Sequence, residues 1–235
     1  MIKKPRPYKK EHSTSYVGST YPVMELLRVK PEMVEVIYVH SAFIDDSGVK
    51  CFICRDNKTL RITFRGTDAI KEWFSNFRFC KKKIPYNNEK SKIKVHTGFI
   101  NSYKAPNVRD KILASVTNGT HYIKITGHSR GAALAVLCAV DIQYNFPERD
   151  IEAILFGCPR VGNRAFVNSF NKRVSKTVRV ENSNDIVTKI PFAFMGYRHV
   201  GARVHIGAFR FPFYFSVSDH LPHNYYSGLL RKIWF

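Results

Sequence analysis

The chain has 235 residues, and 38 Lys and Arg against 18 Asp and Glu give it a formal net charge of +20. Hydrophobic residues make up 44 % of the sequence, which is enough for the core of one large domain, so a disordered chain is not expected. With only 13 Gly and 11 Pro, collagen-like and low-complexity proteins are excluded.

The positive charge favours a polyanionic partner such as nucleic acid, an anionic membrane or polyphosphate, although excess lysine can also serve solubility alone. No finger, helix-turn-helix or aromatic RNA-binding motif is present, so specific nucleic-acid binding is not expected. The basic first residues lack the apolar run of a secretory signal, and no apolar stretch is long enough to span a bilayer. We therefore expect a cytoplasmic or membrane-peripheral location.

In chain order, residues 1–33 are predicted to form an N-terminal arm with a short helix near Tyr21–Lys30. A single domain is predicted over residues 34–235. Its β-branched start predicts a strand, and a hairpin follows with Asn57-Lys58 at its tip. The stretch from Asp68 to about Val95 is predicted to be irregular.

The middle of the chain alternates apolar strand patterns with helix patterns. Strands are expected over residues 122–126, 151–156, 177–180, 200–206 and 211–215, and helices over 97–116 with a break near Pro106, 132–144, 161–173 and 219–233. This alternation predicts an α/β protein with a mostly parallel sheet covered on both faces, and the start of the domain is predicted to be antiparallel.

Five cysteines at scattered positions argue against a disulfide framework. Cys51 and Cys54 form a C-x-x-C pair, but no second pair or histidine cluster completes a metal site. They lie in a predicted strand and are interpreted as small core residues. No metal and no organic cofactor is expected.

The most informative motif is Gly127-His128-Ser129-Arg130-Gly131, which lies between a predicted strand and a small-residue helix. This is the G-x-S-x-G pattern of a nucleophile elbow in its required context. The sharp turn leaves no room for side chains beside the serine, and the helix directs its positive end at the developing negative charge. Ser129 is therefore predicted to be a catalytic nucleophile.

A serine nucleophile needs a base and an orienting acid, which follow it in the order acid, then histidine. Asp185 is the preferred acid because it follows the strand at 177–180, with Glu181 as its rival. His220 is the preferred base, and His223 is the alternative. Two other histidines, His199 and His205, fall in a predicted strand pair and are interpreted as structural.

The oxyanion formed during acyl transfer needs two hydrogen-bond donors. One is expected to be the backbone N–H of Arg130, the residue after the nucleophile. The other is expected from Thr67, which ends an earlier strand and offers both its N–H and its hydroxyl.

Together these residues resemble the class 3 lipase family, the fungal triacylglycerol lipase group with its plant and viral relatives. The resemblance spans about residues 34–230 in motif order. It rests on Phe64-Arg65-Gly66-Thr67, Lys71-Glu72-Trp73, Val95-His96-Thr97-Gly98-Phe99, the elbow with Ala132-Ala133-Leu134-Ala135, Phe156-Gly157-Cys158-Pro159-Arg160-Val161-Gly162-Asn163, Asn184-Asp185-Ile186-Val187 and Asp219-His220-Leu221.

The resemblance implies an α/β-hydrolase fold with a short lid around Trp73, and it implies that His96 is structural. It also implies the triad Ser129, Asp185 and His220. Position 130 is usually apolar in the family, so Arg130 is a departure that could change the polarity of the pocket.

The expected activity is hydrolysis of carboxylic esters of lipids, acylglycerol or phospholipid, through an acyl-enzyme. The alternative is a catalytically silent lipase-like module that binds lipid or protein. Lysines follow the lid segment, so a preference for anionic lipid interfaces is expected.

Overall fold

A computed structural model describes residues 40–46, 48–66, 79–84, 90–208 and 215–234. The predicted N-terminal arm, its helix near Tyr21–Lys30 and the proposed domain boundary at residue 34 lie outside the described residues. So do Thr67 and Trp73.

Seven strands form one sheet in the order β1-β2-β3-β6-β7-β8-β9, and two short strands, β4 and β5, form a separate pair. The bounds are β1 His40–Asp46, β2 Val49–Asp56, β3 Thr59–Phe64, β4 Lys81–Lys83, β5 Lys94–His96, β6 Tyr122–His128, β7 Asp150–Phe156, β8 Lys176–Asn182 and β9 Ala202–Ile206. From β3 onwards the neighbours in the large sheet are parallel, whereas β1, β2 and β3 pair antiparallel. This confirms the predicted mixture of an antiparallel start and a parallel remainder.

The described residues include five α-helices and several short 3₁₀ turns. The helices are α1 Thr97–Tyr103, α2 Val108–Ala114, α3 Arg130–Asn145, α4 Arg164–Arg173 and α5 Pro222–Trp234. The predicted break near Pro106 separates α1 from α2. Helix α4 begins three residues later than predicted because the Asn163 side chain caps it by accepting a hydrogen bond from the N–H of Phe166.

The two faces of the sheet are covered by different helices. In β7, Ile151, Ala153 and Leu155 belong to a large core that also holds the buried residues of α1 to α4. The alternate residue Phe156 packs instead with Tyr225 of α5 in a smaller core. Successive side chains of a strand point to opposite faces, so α5 lies on the face opposite the other four helices.

The β2–β3 hairpin forms as predicted, with Asn57 at its tip in a positive-φ conformation that asparagine adopts more readily than most residues. The prediction of an irregular stretch up to Val95 is wrong in part. Lys82 of β4 pairs with Val95 of β5 in a short antiparallel ladder. A run of three lysines has no alternating apolar pattern, so nothing in the local sequence indicates that β4 pairs with β5.

Two further strand predictions differ from the described structure. Phe215 is not in a strand, and the rest of the segment predicted over residues 211–215 lies outside the described residues. His199 lies before β9 rather than within it, while His205 is a β9 residue as predicted. Within the described ranges, none of the helices combines the length and the apolarity needed to cross a lipid bilayer.

Candidate active site

The elbow motif lies where β6 ends and α3 begins, and Ser129 joins them with φ 58° and ψ −129°. This is a strained backbone for a residue with a side chain. A Cβ atom on Gly127 would lie 2.4 Å from the carbonyl oxygen of Gly131, and one on Gly131 would lie 2.5 Å from the carbonyl oxygen of Phe64. Both glycines of the motif are therefore required by close backbone approach.

Ser129 is fully buried. Its N–H donates to the carbonyl oxygen of Phe156 across 3.0 Å, which fixes the turn against the end of β7. Its Oγ has no hydrogen-bond partner among the described residues. A buried hydroxyl without a partner is costly and therefore uncommon, so it indicates a group held ready for a reactant.

Asp185 and His220 meet through a buried hydrogen bond, in which His220 Nδ1 donates to Asp185 Oδ2 across 2.7 Å. The same oxygen accepts a bond of 2.5 Å from the Tyr225 hydroxyl, and Asp185 Oδ1 accepts the N–H of Val187 across 2.8 Å. Burial raises the pKa of Tyr225, which keeps its hydroxyl protonated as a donor. His220 Nε2 has no hydrogen-bond partner among the described residues, so its lone pair is available.

The loops that carry the acid and the base are also joined through their backbones. Asp185 and Ser216 form an isolated β-bridge. The N–H of Ser216 donates to the carbonyl oxygen of Asn184, and the N–H of Asp219 donates to Ser216 Oγ, each across 3.0 Å. The position of His220 relative to Asp185 is thus set by main-chain pairing as well as by the side-chain bond.

Two residues connect this pair to the elbow. The His128 ring lies against the His220 ring, and His128 Nε2 donates to the carbonyl oxygen of His220 across 2.8 Å. A Cβ on Gly157, the residue after Phe156, would lie 2.7 Å from His220 Cε1. His220 therefore lies against the residue before Ser129 and against the end of the strand that binds the Ser129 N–H.

The rival acid, Glu181, is occupied by other partners. It is buried and pairs with Arg179, Arg203 and Lys189. Burial alone would raise the pKa of Glu181, but these cations and His199 together lower it. Glu181 is therefore the anion of a charge cluster beside β8.

The rival base, His223, is exposed on α5 and makes no side-chain hydrogen bond with a described residue. The other histidines beyond the elbow have local partners. His199 Nε2 donates to the carbonyl oxygen of Thr188 across 2.8 Å, and His205 Nδ1 accepts from Arg203 across 3.2 Å. His96 caps α1, its Nδ1 accepting the N–H of Phe99.

Arg130 begins α3, so its N–H has no acceptor inside the helix and lies at the positive helix end. Its guanidinium turns away to other partners, donating to the carbonyl oxygen of Gly48 across 2.7 Å and to Ser102 Oγ across 2.9 Å. Arg130, at a position that is usually apolar in the family it resembles, therefore links the β1–β2 turn to α1. Thr67 itself is outside the described residues, but a Cβ on Gly66 would lie 3.5 Å from Ser129 Cβ, so the chain passes beside the serine just before Thr67.

All five cysteines are free, and the C-x-x-C residues Cys51 and Cys54 are buried in the core as predicted. In the part of the chain that the structure describes, no group of three His, Cys, Asp or Glu side chains could hold a metal ion. The contacts of Tyr225, His128 and Gly157 with the Asp185–His220 pair could not be predicted from sequence, because each depends on long-range folding.

With this geometry in view, comparison with known proteins gives a match to the family model "Lipase (class 3)" over residues 61–195, more than half of the chain. The chain belongs to the class 3 lipase family. A lipase of Rhizomucor miehei is 33 % identical over 72 % of this chain and 48 % of its own length. Phospholipase A(1) DAD1, a chloroplastic protein of Arabidopsis thaliana, is 33 % identical over 59 % of this chain and 37 % of its own length.

Solved structures of triacylglycerol lipases have the same fold. A Rhizomucor miehei triacylglyceride lipase superposes with a TM-score of 0.69, 25 % identity and 88 % coverage of both chains. A triacylglycerol lipase, described as having a serine protease triad as its catalytic centre, superposes with a TM-score of 0.67, 27 % identity and 78 % coverage of both chains. The predicted α/β-hydrolase fold is confirmed.

The chain spans about half or less of the length of the curated relatives it matches. A secreted mono- and diacylglycerol lipase of Fusarium solani, 31 % identical over 69 % of this chain, is among them. Since the relatives are named as chloroplastic in one case and secreted in another, the cytoplasmic or membrane-peripheral location stays a prediction.

Proposed function

We propose that this chain is a serine lipase or esterase that hydrolyses carboxylic esters of lipids through an acyl-enzyme. The proposal depends above all on one observation. A buried Ser129 hydroxyl without a partner lies on a strained elbow against the histidine segment, while His220 keeps Nε2 free and donates from Nδ1 to Asp185. These observations support Ser129 as nucleophile, His220 as base and Asp185 as orienting acid, the three roles on which serine hydrolysis depends.

In the proposed reaction, His220 Nε2 takes the proton of Ser129 Oγ as that oxygen attacks the ester carbonyl carbon. The negative charge on the carbonyl oxygen is stabilised by the N–H of Arg130 and by a second donor, for which we propose Thr67. His220 then protonates the leaving alcohol, and a water molecule attacks the acyl-enzyme in the same way, which restores the serine. Each oxyanion donor is worth about 2.7–4 kcal/mol of barrier.

The carboxylate of Asp185 is suited to hold the imidazolium that forms in both steps. It is fully buried and accepts three hydrogen bonds, one of which comes from His220 Nδ1 and fixes the His220 ring with that nitrogen protonated. The proposed site needs no cofactor for this chemistry, because His220 carries the protons between Ser129, the leaving alcohol and the attacking water.

Relatives named as lipase, phospholipase A(1) and mono- and diacylglycerol lipase support a lipid ester as the substrate. The formal charge of +20 favours esters presented at an anionic lipid interface. We include Trp73 in this proposal as part of a lid that contacts the acyl chain. A silent lipid- or protein-binding module is the alternative, and no relative named above supports it.

The test is hydrolysis of p-nitrophenyl esters of short and long acyl chains by the wild type and by Ser129→Ala. We expect turnover by the wild type, stoichiometric labelling by a fluorophosphonate probe, and loss of both in the variant. Equal hydrolysis by both proteins, or a wild type that the probe does not label, would reject the proposal. A panel of acylglycerols, galactolipids and phospholipids with product analysis then identifies the ester.

A further inference from the structure

The β4–β5 hairpin borders a surface cavity of about 520 Å³ that is lined mainly by lysine side chains. We call it the lysine pocket and define it by Lys81, Lys83, Lys92, Lys94 and Asn163. Lys83 lies directly opposite Lys94 in the antiparallel ladder. Like charges in that position repel, so the pair is unfavourable until an anion lies between or above it.

Three of the lysines that line the pocket have no protein counter-ion within the described ranges. Lys83, Lys92 and Lys94 are exposed, and none of them pairs with a described carboxylate. This contrasts with Lys176, which binds Asp150 across 2.6 Å, and with Lys50, which binds Asp45 across 3.0 Å. The pocket therefore keeps its attraction for an external anion.

The pocket is also held in place by the backbone around it. The side chain of Asn163 donates from Nδ2 to the carbonyl oxygen of Lys92 across 2.8 Å and accepts the N–H of Lys94 on Oδ1 across 3.1 Å. These bonds fix the approach to β5 while both lysine ammonium groups remain free. A preformed arrangement of this kind loses less entropy when it binds a ligand.

An apolar feature adjoins the pocket. Residues 192–195, which we call the aromatic knuckle, present Phe192 and Phe194 with their rings stacked at a centroid distance of 5.4 Å. Phe194 is 87 % exposed, and Phe192 is 37 % exposed. Lys81 joins the two features, because its ammonium donates to the carbonyl oxygen of Met195 across 2.6 Å.

From this juxtaposition we infer that the lysine pocket and the aromatic knuckle form one docking surface for an anionic phospholipid bilayer. Lipid phosphate groups bind the lysines, and the two phenylalanine rings enter the boundary between headgroups and acyl chains. The combination of cationic and apolar side chains favours a lipid bilayer as the partner. A duplex nucleic acid would bind the lysines but offers no apolar surface to Phe194. The inference gives the proposed lipid hydrolase its site of attachment, and so it rests on that function.

The experiment measures binding to sedimenting vesicles of phosphatidylcholine, with and without phosphatidylglycerol, in a Ser129→Ala background that prevents hydrolysis. One variant carries Lys83→Gln, Lys92→Gln and Lys94→Gln, and a second carries Phe194→Ser. The matched control removes the same charge elsewhere, through Lys58→Gln, Lys111→Gln and Lys172→Gln, which are exposed positions at the β2–β3 turn, in α2 and in α4.

We expect binding only to vesicles that contain phosphatidylglycerol. The pocket variant should bind on the order of 100-fold more weakly, since each lysine near an anionic surface contributes about 1 kcal/mol, which is about fivefold. Phe194→Ser should weaken binding by about tenfold while leaving the affinity for duplex DNA unchanged. The control variant should stay within about threefold of the parent, because long-range charge is screened by salt.

The docking surface would be overturned if the pocket and control variants weakened vesicle binding equally, or if Phe194→Ser left vesicle binding unchanged. A fall in duplex-DNA affinity upon Phe194→Ser, matching the fall on vesicles, would favour nucleic acid instead. Hydrolysis of a soluble ester is measured separately, on proteins that retain Ser129. A failure of the docking surface can therefore be distinguished from a failure of the proposed lipase activity.

Discussion

The imidazole of His128 is stacked on that of His220, with 4.5 Å between ring centroids and 29° between ring planes. The residue before the nucleophile thus supports the residue that we propose as its base. Burial and the nearby His220 lower the pKa of His128 well below its ordinary value, so His128 is a neutral neighbour that does not compete for the proton.

We therefore predict that His128 positions His220. His128→Ala removes the stacked ring and the hydrogen bond to the His220 carbonyl, and it should lower kcat by up to about 100-fold, the cost of a displacement near 1 Å. His128→Phe keeps the ring and should recover part of that loss. Steady-state kinetics on a p-nitrophenyl ester measures both. A His128→Ala enzyme with unchanged kcat would contradict the role.

Two histidines on neighbouring turns, His220 and His223, are the candidates for the base, and their alanine variants distinguish them. His220→Ala should lower kcat/KM by about 10⁴-fold or more, because the proton of Ser129 then has no acceptor. His223→Ala is the matched control and should stay within about twofold of the wild type, since its side chain is exposed. The reverse pattern would assign the base to His223.

Glycine is predicted to be required at position 157 because a side chain there would collide with His220. It has φ +54°, and a Cβ there would meet the His220 ring, so Gly157→Ala should displace the base and reduce kcat by about 100-fold or more. Gly48 has φ +70° and open space around it, which makes Gly48→Ala a control for backbone strain alone.

Both glycine variants should lose about 1–2 kcal/mol of unfolding free energy from the positive φ. Only Gly157→Ala should lose activity. Urea unfolding and ester kinetics on the same two preparations separate the effects. If Gly48→Ala lost as much activity as Gly157→Ala, strain rather than the contact with His220 would be responsible.

Arg130 is predicted to act through its backbone in catalysis and through its side chain in stability. Arg130→Leu keeps the N–H at the start of α3 but removes the bonds to Gly48 and Ser102. We expect a loss of about 2 kcal/mol in unfolding free energy, since hydrogen bonds to charged groups contribute about 1.5–3 kcal/mol. The kcat should change by less than about tenfold. A much larger fall in kcat at unchanged stability would place the guanidinium in the substrate pocket.

Stability is predicted to fall as the pH is lowered from neutrality. Burial, with the charges of Arg179 and Arg160, lowers the pKa of His199 from 6.5 to about 3. Below pH 6.5 the unfolded chain binds a proton that the folded chain does not, so folding is penalised progressively until the pH reaches about 3. Each pH unit in this window costs about 1.4 kcal/mol for one such group.

The loss should reach roughly 3 kcal/mol between pH 6.5 and pH 4 for His199 alone. His199→Gln, which cannot take up a proton, should flatten the curve in this window. Below pH 4.5 Glu181 adds a loss of the same sign because its pKa is lowered in the folded state. Urea unfolding at several pH values tests this, and a His199→Gln curve parallel to that of the wild type would refute it.

The elbow could be predicted from sequence because its signal is local: two glycines, a serine, and a strand and helix on either side. Asp185 and His220 could be ranked above Glu181 and His223 by chain order and by position after a strand. The residues that support the Asp185–His220 pair could not be predicted from sequence. Tyr225 lies on a helix, and its bond to Asp185 depends on how α5 packs over the sheet. The pairing of β4 with β5 is likewise absent from the sequence pattern, since its first strand consists of three lysines.

The bridge between Asp185 and Ser216 has a consequence for how this fold can diversify. It joins the two ends of a segment of about thirty residues that includes β9, so main-chain pairing sets the separation of acid and base directly. The exposed aromatic knuckle, which precedes β9 in this segment, can therefore change its sequence in evolution while the acid and the base keep their relative positions. Surface preference can thus change without any change in the reaction itself.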